Sequence, residues 1–104
     1  MTDAVIIFCT CGTQDEAFAI GNALVEARLA ACVNILPPVR SIYRWQGKVE
    51  TAPEILLVIK ATQGRFAAVR DRITQLHSND TPEIIAVPVT DGSDKYLGWL
   101  REQV

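Results

Sequence analysis

Residues 32–61, CVNILPPVRSIYRWQGKVETAPEILLVIKA, read as two extended arms joined at Gln46-Gly47, where glycine supplies the positive φ that a tight hairpin turn demands. Arms of about 14 residues at about 3.3 Å each reach on the order of 45 Å. A domain of roughly 100 residues has a radius of gyration of only about 13 Å, so the tip projects beyond its own core. Pro37-Pro38 and Pro53 interrupt the two arms at similar heights. Proline cannot donate to a ladder, and a bulge or bend is expected there. The inner half then holds Val33, Ile35, Ile55, Leu57 and Ile59 as core. Tyr43 and Trp45 alternate on the outer half and need cover, from a second subunit or from local packing on arginine side chains of the hairpin.

On the amino-terminal side, Val5-Ile6-Ile7-Phe8-Cys9 is a continuous apolar run of the kind that marks a central strand covered on both faces. Thr13-Gln14-Asp15-Glu16 matches a capping box, and a helix is expected from there to about Leu29, with Ala17, Ile20, Leu24 and Ala27 as its inner stripe. On the carboxyl side, Thr62 precedes a second helix striped by Phe66, Val69, Ile73 and Leu76 and ending near His77. Residues 78–82 are rich in turn formers, and a strand follows from Glu83 to Val89. Pro88 within it makes this an edge strand. Gly92-Ser93 opens a short last helix bearing Tyr96, Trp99 and Leu100. The order βαββαβα over residues 1–104 predicts one α/β (α+β) domain of the ferredoxin-like split βαβ kind, an antiparallel sheet with both main helices on one side. Its open apolar face and unprotected edge call for closed self-association.

Hydrophobic residues make up 49% and charged residues 21% of the chain, which is globular usage and excludes a disordered chain. A formal net charge of -2 gives no footprint for a polyanion, so no nucleic acid partner is expected. No apolar run approaches the roughly 20 residues of a membrane span, and the first residues lack the basic region of an export signal. A soluble chain in a reducing cytoplasm is expected, because three cysteines make an odd set and no disulfide framework.

The glycines form no phosphate loop or dinucleotide fingerprint, and neither HExxH nor paired CxxC occurs, so no organic cofactor is expected. An RNA-recognition surface needs aromatics on a central strand, where Glu54-Ile55-Leu56-Leu57-Val58-Ile59 offers aliphatics. Cys9 and Cys11 face the same side of an extended strand and could jointly approach copper or zinc as thiolates. Core packing is the plainer role for Cys9 and for Cys32, while Cys11, beside Gly12 at a strand end, is expected to be the more reachable. His77 is the single histidine, placed where it could be ligand, base or helix cap. With Asp80 and a cysteine it gives no more than a caricature of a nucleophilic triad, and Glu50, Glu54 and Glu83 read as solvated charges. No complete catalytic constellation is present, so no enzyme is expected.

Three blocks carry a resemblance: residues 28–34 (RLAACVN), residues 41–50 (SIYRWQGKVE) and Pro82-Glu83-Ile84-Ile85 resemble the CutA family. Residues 57–60 (LVIK) and 96–100 (YLGWL) fall in the same family order, so the match spans nearly the whole chain. The resemblance implies a ferredoxin-like homotrimer, cytoplasmic in bacteria, linked to tolerance of divalent metal ions and to copper binding. In architecture the family is similar to the trimeric PII signal proteins, which implies, as the alternative function, a signalling or scaffold trimer taking a small molecule or partner protein between subunits.

Family copper ligands transfer to Cys9 and His77. Where some members have two adjacent histidines, this chain has Leu76 then His77, and Ser78 and Asn79 replace a Pro-Tyr pair. Cys11 could supply the missing ligand as a thiolate, with Cys32 in reserve. A second candidate site, a cleft for a small anionic or aromatic ligand, would be lined by Tyr43, Trp45, Lys60, His77, Glu83 and Trp99 where subunits meet.

Overall fold

A computed structural model describes residues 2–104. The elements are β1 (Ala4–Cys11), α1 (Gln14–Glu26), β2 (Cys32–Ile35), β3 (Val39–Trp45), β4 (Lys48–Thr62), α2 (Phe66–Leu76), β5 (Ile85–Pro88) and α3 (Asp94–Gln103). The antiparallel sheet runs β2-β4-β1-β5, and β3 continues along β4 beyond β2. This is the ferredoxin-like arrangement with its long hairpin, and the longest dimension is 44 Å against 25 and 24 Å for the others.

Both turn residues, Gln46 (φ 50) and Gly47 (φ 80), lie in the left-handed region, as a two-residue turn matched to strand twist requires. The two prolines of the first arm do break it. Ile35 faces Leu57 and Val39 faces Glu54, so Leu36, Pro37 and Pro38 oppose just Ile55 and Leu56, a one-residue bulge. The second arm, against expectation, is unbroken. Pro53 faces Arg40, and pairs counted alternately from the turn make this a non-hydrogen-bonded site, so the missing N–H costs the ladder nothing.

Side chains of β1 alternate. Val5, Ile7, Cys9 and Cys11 are buried with Leu57, Ile59, Val69 and Ile73 beneath α1 and α2. Ile6 and Phe8 on the other face are half-buried, so cover on both faces, expected from the apolar run, is incomplete. Only the Ala4 end of that face is closed, by Leu97 and Leu100 of α3. Ile35, expected in the core, is exposed because β2 is an edge strand. Val33 is half-buried and packs against the core; a side chain at Gly21 would approach its Cγ1 to 3.3 Å, so glycine lets α1 sit close on β2.

α1 ends at Glu26 rather than near Leu29. Arg28 turns left-handed (φ 59), the Leu29 and Ala30 amides bond back to the Leu24 carbonyl oxygen at 2.9 and 3.2 Å, and both side chains fold onto the core. Ala27 is thereby left exposed outside the stripe. α2 begins at Phe66 after a 3-10 turn at Gln63–Arg65; Val69 and Ile73 are buried, but Leu76, in the last turn, faces out. The final strand is shorter than Glu83–Val89, and it is an edge, hydrogen-bonded to β1 alone.

Candidate metal centre

Cys9 and Cys11, two apart on β1, point to the same side and are 0% exposed. Cys11 is therefore not the accessible thiol that its place beside Gly12 suggests; its strand neighbour Ile55 and the core close over it. His77 directly follows α2, where the helix gives way to extended backbone, and its ring turns inward to 8% exposure. Its Nε2 lies 2.8 Å from the Thr10 carbonyl oxygen, and its Nδ1 accepts the Asn79 amide at 3.0 Å. Since Nδ1 accepts, Nε2 carries the proton in a neutral ring. One ligand atom from each of Cys9, Cys11 and His77 lies within 4.8 Å of the others, and among the described residues no other such triple occurs.

The two thiols are unlike. The Cys9 S–H has the Thr10 carbonyl oxygen in reach at 3.8 Å, and the Cys11 sulfur lies within 4.8 Å of the Cys9 sulfur. Interaction with the Cys11 thiol pushes the Cys9 thiol strongly upward; burial and the charges of Cys11, Glu83 and Glu16 push the same way. The same interaction with Cys9 lowers Cys11, against burial and the charges of Glu16 and Glu54. Cys11 is thus the first to become a thiolate, and the surrounding carboxylates favour a cation at the pair.

A residue that sequence reasoning missed joins the two halves of this site. Thr13 caps α1 as expected, its Oγ1 accepting the Glu16 amide at 3.1 Å, yet Glu16 does not return the bond to Thr13. Its Oε1 accepts the Gly12 amide at 3.3 Å and its Oε2 the Ser78 amide at 2.7 Å. The capping box marked Glu16 as a local residue; nothing in the sequence announces the link to Ser78.

Cys32 lies elsewhere. It faces Lys60 in the ladder, on the open side of the sheet, with the Lys60 Nζ 3.9 Å from its sulfur, and it is only half-buried. The cleft residues are not gathered within one chain either. Tyr43 and Trp45 sit exposed on the hairpin, Glu83 precedes β5, and Trp99 lies on α3 against Tyr96, with ring centroids 5.6 Å apart. Lys60 bonds the Asn34 side chain and edges an apolar cavity of about 330 Å³ between α3 and the open face, where Ile6, Tyr96 and Leu100 also line the wall.

The sequence profile described as "CutA1 divalent ion tolerance protein" matches residues 5–103. The divalent-cation tolerance protein CutA of Thermus thermophilus is 46% identical over 97 residues, 93% of this chain and 94% of that protein. The solved structure of the divalent cation tolerance protein (Cut A1) from Thermus thermophilus superposes with a TM-score of 0.95 at 45% identity, covering 96% of this chain and 97% of that one. CutA from Xylella fastidiosa does so with a TM-score of 0.95 at 44% identity over 98% of each chain. With the fold, the near-complete coverage and the identities in agreement, the chain belongs to the CutA divalent ion tolerance family.

Proposed function

We propose that this chain binds a soft metal ion, copper in its monovalent state, between Cys9, Cys11 and His77. The observation that carries this reading is the convergence of two sulfurs and an imidazole within 4.8 Å inside the core. Two thiolates and one imidazole, with no carboxylate among them, match the preference of copper(I) for soft donors, whereas zinc asks for a fourth ligand. The dithiol forms its thiolate at Cys11 first, and His77 frees a lone pair for the ion either at Nδ1, by giving up the Asn79 amide, or at Nε2, by moving the ring proton to Nδ1 and giving up the bond to the Thr10 carbonyl oxygen. Metal binding by this chain then supports the tolerance role for which its relatives are named, and no chemical transformation is part of it.

The binding unit is a homotrimer in a reducing, cytoplasmic setting. Apolar side chains left uncovered by the single chain favour assembly: Ile85 and Val87 on the open sheet face, and Ile42, Trp45 and Val49 on the projecting hairpin. PII-like recognition of a small molecule between subunits is the second reading, favoured by the cavity beside Lys60.

Competition of the reduced protein with a chromophoric copper(I) chelator tests the first reading. Cys9→Ser, Cys11→Ser and His77→Ala are expected each to weaken binding at least tenfold, while Cys32→Ser leaves it unchanged. Equal binding by all of these chains overturns it.

A further inference from the structure

We infer that Glu16 is the latch of a lid over the buried Cys9–Cys11 pair, and that its carboxylate sets how often those thiols can be reached. Both sulfurs are sealed, so any reagent or ion requires an opening. Both cysteines belong to one core cluster with the fully buried Ile7, Leu57, Val69 and Ile73, and opening through that packing disrupts the whole domain. The less regular border is the end of β1, where Gly12 leads out of the strand and residues 77–79 are bonded across to Thr10 and Glu16. Residues 12–13 and 77–84 belong to no helix or strand, and among the described residues a side chain at Gly12 would meet nothing within 4 Å.

One carboxylate spans that border. Glu16 accepts the amide of the residue after Cys11 and the amide of the residue after His77, through separate oxygens. Both bonds lie near solvent and so belong to the cheapest part of the site to open. Hydrogen bonds to a charged acceptor are stronger than neutral ones, and losing one shifts an opening equilibrium by roughly tenfold to a hundredfold. Glu16 is a positioning residue, acting through the two loops and touching neither sulfur. The latch rests on the metal reading only for its consequence, which is control of the rate at which an ion reaches the pair.

The test needs no metal. Thiols of the native, reduced protein are labelled with iodoacetamide and each cysteine is followed by mass mapping. Glu16→Ala, and Glu16→Gln, whose NH2 cannot accept one of the two amides, are expected to speed labelling of Cys9 and Cys11 at least tenfold. Cys32, half-buried on the other face, keeps its rate. Thr13→Ala removes the helix cap while sparing the latch and should change the Cys9 and Cys11 rates little. Unchanged rates in both Glu16 variants overturn the inference, and so does an equal rise in Thr13→Ala, which would assign the effect to fraying of α1. Should the Glu16 variants unfold, exchange of the wild-type amides decides: Gly12 and Ser78 are expected to share one opening free energy, and protection differing by more than tenfold contradicts a common latch. Faster labelling without faster copper(I) uptake would uphold the latch and count against the metal reading alone.

Discussion

The imidazole Nε2 of His77 lies 2.8 Å from the carbonyl oxygen of Thr10, the residue between the two buried cysteines, across 67 positions of sequence. With Nδ1 taken by the Asn79 amide, both ring nitrogens are engaged, and the ring ties the end of α2 to the centre of the sheet. Under the proposed copper(I) reading, binding an ion would exchange one of these bonds for a metal–nitrogen bond and so couple affinity to loop position at one residue.

The metal-free protein therefore loses stability in His77→Ala. A part-buried carbonyl and amide are left without their partner, and the expected loss is about 1–3 kcal/mol by urea denaturation. A change within error would mean that the ring is not holding these groups in solution.

The two cysteines should titrate in opposite directions from an ordinary thiol value of 9.0, Cys11 below it and Cys9 above. In a Cys32→Ser background, ultraviolet absorbance of the thiolate is expected to show the lower titration. Cys9→Ala removes the neighbouring thiol and should move that titration upward, whereas Cys9→Ser retains a hydroxyl that can donate and should hold most of the shift. Identical curves for the two substitutions would contradict the thiol–thiol interaction.

Glu16 gives an acid dependence with a defined sign. Burial raises its pKa, but the Ser78 and Gly12 hydrogen bonds and the nearby His77 outweigh it and hold the folded value below the ordinary 4.5. Its contribution to stability is accordingly full above that ordinary value and is lost as the pH falls through the folded one. The stability gap between wild type and Glu16→Gln should be constant near neutrality and shrink in acid. A gap that widens on acidification would reverse the assignment.

Assembly can be tested on the open face of the sheet, where Phe8 and Val58 face each other across β1 and β4. Light scattering of the wild type is expected at three times the chain mass of 11.4 kDa. Val58→Lys should shift this toward the single chain while circular dichroism keeps the folded signature. A wild-type monomer at micromolar concentration would leave the exposed hairpin and sheet face without their proposed cover.

Much of the fold was legible because its signals are local. The Gln46-Gly47 turn, the double proline at residues 37–38 and Pro88 each act on the backbone where they stand. Misreadings came where a neighbouring strand decides the outcome: Pro53 is harmless because of its place in the pairing register, and Ile35 is exposed because β2 has a neighbour on one side only. The shared side of Cys9 and Cys11 follows from strand alternation, but their complete burial follows from helices far away in sequence. Cys32 pairs with Lys60, of opposite parity on β4 to the Leu57 and Ile55 that face Cys9 and Cys11, and so falls on the other face, which no spacing from Cys11 could reveal. Glu16 was visible as a cap and hidden as a clamp, since its second partner lies 62 positions away.

X-ray absorption at the copper edge of the reduced protein, loaded with one copper(I) per chain, tests the central claim most directly. The predicted result is a low-coordinate ion with two sulfur neighbours and one nitrogen, falling to a single sulfur in Cys11→Ser and losing the nitrogen in His77→Ala. A spectrum dominated by oxygen or nitrogen neighbours, or one unchanged by both substitutions, would place the metal elsewhere and contradict the account.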